Sequence, residues 1–390
     1  MGDVFINRSL VKTAREAFKY FPVLTITGPR QSGKTTMIKS EFTHLPYFSM
    51  EDIDIRRFAT NDPRGFLNQH PKGMILDEVQ NTPELLSYIQ GLVDEDSSKR
   101  YILSGSSQFS VIKQITQSLA GRTAMLELLP LSFQEIKSEA DKKSLDNILY
   151  SGFYPAIYAG KNIPKLLYPS YTKTYLERDV RDLLNVKDIM MFQKFMRLCA
   201  GRIGSLFVAS DLASELGVTV NTIKSWLSVL QASYIITMLP PWFENTTKRL
   251  VKTPKLYFCD TGLASYLLDI ENEKLLMRDK MRGHLFENFI VTEALKFRYN
   301  QGKESNLYFV RDSNGNEVDL ILKYGDSFKC IEIKSSQTYN SEFEKGLKSV
   351  DSILGDRIAD KAIIYAGDYE NTEGKIKLIN YKNISDWIFN

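Results

Sequence analysis

The chain has 390 residues, of which 43% are hydrophobic and 25% charged, and its net charge is +3. That length exceeds one ordinary core, so two or three domains are expected, and the composition is ordinary for a soluble globular protein. The small net charge leaves any nucleic-acid contact to local basic clusters, and no apolar run approaches the ~18 residues of a membrane helix.

The first eight residues lack a signal-peptide layout. Three cysteines, Cys199, Cys259 and Cys330, are odd in number, without metal spacing and set in apolar surroundings. They read as reduced core thiols of a cytoplasmic protein. The three histidines show no ligand spacing, which argues against a His-based zinc site or a His-driven triad.

Residues 9–20 carry apolar and basic positions at helical spacing, and residues 21–26 form an apolar run that reads as a buried strand. The run Gly28-Pro29-Arg30-Gln31-Ser32-Gly33-Lys34-Thr35-Thr36 follows, with glycines at both ends of a four-residue gap and Lys-Thr after the second. Between a strand and a helix, such a loop curls its backbone N–H groups inward as an anion nest, and the helix N-terminus adds positive charge. The nine residues are read as the cradle for ATP. Lys34 reaches the β- and γ-phosphates, and the Thr35 hydroxyl binds Mg2+.

A helix continues over residues 37–41, a second strand is expected at 46–50, and short helices at 51–58 and 63–67. The apolar strand Met74-Ile75-Leu76 then ends in Asp77-Glu78. Asp77 would hold Mg2+ through water, and Glu78 would position or deprotonate the attacking water. A helix over 83–94 leads to the strand at Tyr101, which ends in Ser104, Ser106, Ser107 and Gln108. These four are candidates to sense the γ-phosphate or water at the carboxyl end of the sheet, or they form an ordinary turn. Strands alternating with helices argue a parallel α/β sheet.

Residues 111–120 are amphipathic and lead to Arg122, either an arginine finger or phosphate sensor, or a surface arginine. A strand is expected at 123–129, and Ser132 with Glu135 forms a capping box. The helix around 171–184 has a polar face of Glu177, Arg178, Asp179, Arg181 and Asp182, a salt-bridged surface or an inter-domain contact. Residues 210–230 read as helix–turn–helix. Ser210 and Asn221 are the expected caps, Gly217 the turn, and Ile223, Trp226, Leu227 and Leu230 the inner face. Val220, Asn221, Thr222, Lys224 and Ser225 would face outward. Residues 233–259 look like a two-stranded wing with a basic tip at Lys248, Arg249 and Lys252. A winged helix can dock its second helix in a DNA major groove, and it also serves as a protein-binding module.

The last third is expected to hold a long helix from Arg282, strands at 306–311, 317–323, 328–334 and 361–365, a hairpin turn at 314–316 and a helix over 341–354. Glu287 lies on the long helix, Asp319 in one strand, and Glu332 with Lys334 in the next, twelve residues separating Asp319 from Glu332. Glu332 and Lys334, two apart, share a sheet face. Carboxylates beside a lysine there would bind a divalent cation and activate water against a phosphodiester, or they are ordinary surface charge.

The chain resembles the AAA-like P-loop ATPases of bacteria and archaea that carry a C-terminal domain of unknown function of the DUF4143 type, itself similar to the PD-(D/E)xK nucleases. The carriers are residues 28–36, 76–80, 103–108, 119–122, 175–179, 255–263, Glu317-Val318-Asp319 and Glu332-Ile333-Lys334. The resemblance implies nucleotide and Mg2+ roles for Lys34, Thr35, Asp77 and Glu78, and nuclease-like positions for Glu287, Asp319, Glu332 and Lys334. By the same analogy with ring-forming relatives, a homo-oligomer is expected.

The expected class is α/β. A P-loop parallel-sheet core occupies 1–140, a helical linker 141–200, a winged helix-turn-helix 201–265, and a nuclease-like α/β domain 266–390. The expected function is an ATPase that binds DNA through the winged helix and couples nucleotide state to a metal-dependent nuclease or nuclease-like domain. The alternatives are a nucleotide-switched regulatory protein with an inert last domain, and a scaffold for protein partners.

Overall fold

The computed structural model describes residues 5–105, 118–176, 180, 189–242, 251–312 and 315–389. Ser106, Ser107, Gln108, Glu177, Arg178, Asp179, Arg181, Asp182, Lys248, Arg249 and Asn314 lie outside the described residues, as does most of the expected helix at 111–120. The chain divides into two compact units. The first gathers Met1–Leu131 with Ala232–Tyr234 and Arg298–Glu304, and the second gathers Ser132–Gln231, Ile235–Phe297 and Ser305–Asn390.

The first unit runs α1 (Leu10–Tyr20), β1 (Val23–Thr27), α2 (Lys34–Glu41), β2 (Tyr47–Ser49), α3 (Ile53–Asn61), α4 (Pro63–Asn68), β3 (Gly73–Asp77), α5 (Leu85–Glu95), β4 (Arg100–Gly105) and β5 (Thr123–Glu127). The five strands form one parallel sheet in the order β2-β3-β4-β1-β5. Alternation along each strand divides the core between the two faces. Val23, Tyr101 and Leu103 pack with Leu86 and Ile89 of α5, whereas Leu24, Ile26 and Ile102 pack with Leu10, Ala14 and Phe18 of α1. Every residue of β1 is buried, because helices cover both faces of the sheet. The parallel arrangement sends the carboxyl ends of β1 and β3 to one edge, where Gly28 and Asp77–Glu78 meet.

The second unit begins with the capping box at Ser132. The Ser132 N–H donates to Glu135 Oε2 at 2.8 Å, and the Glu135 N–H donates to Ser132 Oγ at 3.3 Å. The box opens a short 3-10 turn, Gln134–Ile136. After a run of helices comes the pair α6 (Ala209–Leu216) and α7 (Val220–Ala232). Gly217 closes α6 in the left-handed region, φ 67°. The caps differ from expectation. Ser210 lies inside α6, which has no side-chain cap, and Thr219 rather than Asn221 accepts a backbone N–H, that of Thr222 at 3.1 Å. Ile223, Trp226 and Leu230 are buried, with the Phe192 and Phe195 rings each 5.5 Å from Trp226. The antiparallel ribbon β6 (Ile236–Leu239) and β7 (Lys255–Phe258) follows.

The helix α8 (Arg282–Asn300) precedes a mixed sheet of β8 (Leu307–Arg311), β9 (Glu317–Tyr324), β10 (Ser327–Lys334), β11 (Ile358–Tyr365) and β12 (Lys377–Asn380). In it β9 runs antiparallel to both β8 and β10, and β10, β11 and β12 are parallel. The expected helix over 341–354 is broken into Ser341–Glu344, Lys345–Ser349 and Asp351–Leu354, and β12 was not anticipated. Cys199, Cys259 and Cys330 are free and buried. Among the described residues no helix is long and apolar enough to cross a membrane.

Candidate functional site

The loop after β1 is built by backbone conformation. Gly28 has φ 153°, and a Cβ there would lie 2.2 Å from the Leu128 carbonyl oxygen, so only glycine lets β1 and the chain after β5 pass this closely. Gly33 caps α2 with φ 93°. Gln31 and Glu78 also hold left-handed φ, 61° and 54°. For non-glycine residues this costs on the order of 1–3 kcal/mol each, and such strain gathers where function requires a fixed geometry.

Lys34 is buried, and its ammonium donates to the carbonyls of Gly28 and Pro29, each at 2.8 Å. Ser32 is buried, Arg30, Gly33 and Thr35 half-buried, and Gln31 and Thr36 exposed. The Thr35 hydroxyl donates to Asp77 Oδ2 at 2.7 Å, although 42 residues separate them. Ser104 donates to the other Asp77 oxygen, and the Glu78 N–H reaches it at 3.2 Å. The Gln80 amide donates to the Glu78 carboxylate. A threonine hydroxyl and a buried carboxylate at hydrogen-bond distance, both hard oxygen donors, fit a nucleotide-bound Mg2+.

Two residues of this site carry no motif. Tyr47 donates to Asp77 Oδ2 at 2.7 Å, and burial followed by the Asp77 hydrogen bond raises its phenol well above the ordinary range. Arg8 is buried, and its guanidinium donates to the Ser32 carbonyl at 2.5 Å and the Leu129 carbonyl at 2.7 Å.

Arg122 lies apart from these residues. β1 and β5 are in register from Val23↔Thr123 to Thr27↔Glu127. Arg122 therefore precedes β5 at the amino edge of the sheet, while the phosphate loop leaves β1 at the carboxyl edge. At ~3.3 Å per residue a five-residue strand puts roughly 15 Å between those edges. The guanidinium pairs with Asp94 at 2.6 and 2.8 Å on the surface. In this structure Arg122 thus lies at the sheet edge away from the phosphate loop of its own chain.

In the second unit Glu287, Asp319, Glu332 and Lys334 are brought together, with three partners that motif reasoning left out. The β9–β10 ladder ends at Leu320↔Ile331. Beyond it Asp319 Oδ2 accepts the Ile333 N–H at 2.8 Å and lies 3.7 Å from Lys334 Nζ. Lys334 Nζ donates to Glu332 Oε1 at 2.6 Å. Lys255, 2% exposed at the start of β7, reaches Glu287 Oε1 at 3.0 Å and also pairs with Glu317. Tyr257, on the same face of β7, donates to Glu287 Oε1 at 2.6 Å. Burial first, with Asp319 adding to it, raises the Glu332 carboxyl to about 8 against the pull of Lys334. Burial likewise raises Glu287 despite Lys255.

These residues do not fit a divalent cation as they stand. Lysines take up oxygens of Glu287, Glu317 and Glu332, and a backbone N–H takes one of Asp319. Glu332 Oε2 has no hydrogen-bond partner among the described residues and lies against Gly346, where a Cβ would be 2.8 Å away. Among the described residues no group of three or more His, Cys, Asp or Glu is arranged to hold a metal ion. The expected metal set of Glu287, Asp319 and Glu332 is thus a lysine-bridged network in this structure.

Residues 20–137 match the AAA domain family, and residues 282–384 match a domain of unknown function, DUF4143. The chain thus carries one segment of the AAA family and one of the DUF4143 family. Between the two, residues 142–274 match another domain of unknown function, DUF8612. An uncharacterised protein of Mycobacterium tuberculosis is 29% identical over 369 residues, covering 93% of this chain and 80% of the relative. One from Methanocaldococcus jannaschii is 24% identical over 392 residues, covering 91% and 84%. Among solved structures, a Walker-type ATPase of Pyrococcus abyssi is similar with 14% identity over 68% of this chain and 96% of that one, at a TM-score of 0.46. AMPPCP-bound DnaA from Aquifex aeolicus is similar with 16% identity over 58% and 88%, at 0.31.

The AAA domain thus holds Lys34, Thr35, Asp77 and Glu78 at one sheet edge. The residues between the AAA and DUF4143 domains supply Lys255 and Tyr257 to the second cluster. A signal for the latter was present: in Lys255-Leu-Tyr-Phe the two polar residues alternate with apolar ones, so they share a strand face. Arg8 carried no such signal.

Proposed function

We propose that the chain is an ATP-hydrolysing switch whose nucleotide state governs DNA binding by the helix–turn–helix and ribbon, acting as a winged helix. The observation that carries the ATPase half is the Thr35 hydroxyl 2.7 Å from Asp77 Oδ2, beside a loop whose lysine is folded onto its own carbonyls. When phosphate enters, Lys34 exchanges the Gly28 and Pro29 carbonyls for β- and γ-phosphate oxygens, and the loop N–H groups and the start of α2 hold the remaining charge. Thr35 and Asp77 would hold Mg2+, which when bound neutralises charge on the phosphates. Glu78, fixed by its left-handed backbone and by Gln80, orients the attacking water and accepts its proton.

The DNA half rests on the outer face of α7, where Val220, Asn221, Lys224 and Ser225 are exposed, and on exposed Lys252 before β7. An exposed polar and basic second helix suits the major groove, with the ribbon beside it. Lysines hold the carboxylates of the DUF4143 domain, and the switch needs no metal-dependent cleavage step there.

The test follows phosphate release and duplex binding together, for wild type, Lys34→Ala and Glu78→Gln. Lys34→Ala should lose ATP binding. Glu78→Gln should keep it and lose about 100-fold or more in turnover. Duplex affinity should differ between the ATP-trapped Glu78→Gln and the nucleotide-free chain. It should also fall with salt, at a log–log slope of roughly −0.9 per phosphate contact. Normal turnover in Glu78→Gln would remove the ATPase assignment, and salt-insensitive or absent duplex binding would remove the DNA one.

A further inference from the structure

We infer that the buried ammonium of Lys255 stands where a divalent cation would sit among Glu287, Glu317 and Asp319, so that an internal cation rather than a metal closes this site. Lys255 is 2% exposed, a rare place for a lysine unless its charge is matched. The match is made by carboxylates from two separate elements, Glu287 of α8 and Glu317 of β9, with Asp319 close enough to favour the charged ammonium. One buried cation thus ties a helix to a sheet, as a structural metal does.

The position of the ammonium is imposed by the backbone. Leu239↔Lys255 is the end pair of the β6–β7 ribbon, and the carbonyl of Leu256, the next residue, accepts the Gly204 N–H at 2.9 Å. Gly204 in turn has no room for a side chain, since a Cβ there would meet Glu287 Oε2 at 2.9 Å. Tyr257, two residues on, donates to Glu287 Oε1, the oxygen that Lys255 also reaches. Lys334 does the corresponding work at Asp319 and Glu332. Together the two ammonium groups bring the charge of one divalent cation to the four acids Glu287, Glu317, Asp319 and Glu332, each ammonium tethered to the chain, with Arg311 a further cation 3.4 Å from Glu317. Carboxylates drawn together this closely would repel one another without a cation among them. The structure satisfies that need from its own sequence, and a metal ion would have to displace Lys255 to enter.

Removing the tethered cation should therefore create a metal site. The full-length chain, free of nucleotide, is titrated with Mn2+ and followed by electron paramagnetic resonance and by thermal melting. The samples are wild type, Asp319→Asn, Lys255→Met, and Lys255→Met combined with Asp319→Asn. Wild type should show no Mn2+ binding that Asp319→Asn alters. Lys255→Met keeps much of the side-chain volume and removes the charge. It should melt lower without metal, gain one Mn2+ per chain at least 10-fold tighter than any wild-type site, and recover its melting temperature as Mn2+ is added. Adding Asp319→Asn should abolish the gain.

Should Lys255→Met not fold, the pair Lys255→Met with Glu287→Gln removes buried charge and counter-charge together. It should still take Mn2+ through Glu317, Asp319 and Glu332. Asp319-dependent Mn2+ binding by wild type would overturn the inference, as would either folded Lys255 variant that neither binds Mn2+ nor is stabilised by it. ATP turnover plays no part in these readings, so they stand or fall apart from the proposed switch.

Discussion

Tyr47 and Thr35 both donate to the same oxygen, Asp77 Oδ2, each at 2.7 Å. Tyr47 approaches from β2, the edge strand, while Thr35 approaches from the first turn of α2. The phenol is thus a second hydrogen bond behind a carboxylate that is asked to face Mg2+, and such partners set how a ligand is oriented. Tyr47→Phe keeps the ring and removes only the donor. The half-saturating Mg2+ concentration for ATP turnover should rise on the order of 10-fold. Turnover at saturating Mg2+ should stay within about twofold, because Glu78 and Lys34 are untouched. An unchanged Mg2+ curve would show that Tyr47 only packs.

Arg8 ties Ser32, inside the phosphate loop, to Leu129, which lies 121 residues from Arg8 in the chain. The bond to Ser32 holds the loop open in its phosphate-binding curvature without using any of its N–H groups. Arg8→Met would leave two buried carbonyls short of a donor, at about 1–3 kcal/mol for each group fully deprived. A melting temperature lowered by several degrees and a raised KM for ATP are expected together. Lys should rescue less than half of the effect, since it lacks the fork that reaches two carbonyls. Loss of stability with an unchanged KM would confine Arg8 to a structural role.

The Arg122–Asp94 pair lies at the edge of the sheet remote from the phosphate loop. Arg122→Ala should leave ATP turnover of the isolated chain within about twofold, in line with the small worth of exposed pairs. If copies of the chain assemble and Arg122 serves a neighbour's phosphates, the defect will instead appear only as concentration rises. It would then be relieved by mixing in Lys34→Ala chains that supply the arginine. The comparison of dilute and concentrated samples decides between the two.

How far the sequence could be read depended on the range of the interaction. The loop from Gly28 to Thr36 and the pair Asp77-Glu78 declare themselves, because phosphate and metal chemistry needs fixed residue types at short spacing next to a strand. The same holds for Glu332 and Lys334, whose common face follows from strand periodicity alone. Arg122 was open because its distance from the phosphates depends on where β5 starts relative to β1, a matter of sheet register. Arg8 and Tyr47 were invisible as site residues for a similar reason, and for Lys255 the alternation with Tyr257 gave a strand face but no partner. Each is a single polar residue with no local motif around its partner, and only the tertiary fold brings it to a carbonyl or carboxylate dozens of residues away. Caps failed at shorter range: Thr219, Ser210 and Asn221 are all competent cap residues, and propensity does not choose among neighbours.

The Glu332 carboxyl, raised to about 8 chiefly by burial, makes a pH prediction whose sign is fixed. A carboxyl whose folded value lies above its unfolded value, near 4.3, favours the folded state most when protonated. Its contribution is complete below the unfolded value and is lost as pH rises through about 8. Lys334, raised above its own ordinary value, titrates well outside that window. Stability measured by urea unfolding should therefore contain a component that declines between pH 5 and about 8. Glu332→Gln stays neutral throughout and should remove that component, so the two curves converge at high pH or cross. The other acids raised by desolvation, Glu127, Asp260, Glu287 and Glu293, are common to both proteins, so the difference between the curves reports on Glu332. Parallel curves would mean that Lys334 keeps Glu332 ionised across the range, and the carboxylate would then be available to a cation whenever Lys334 swings away.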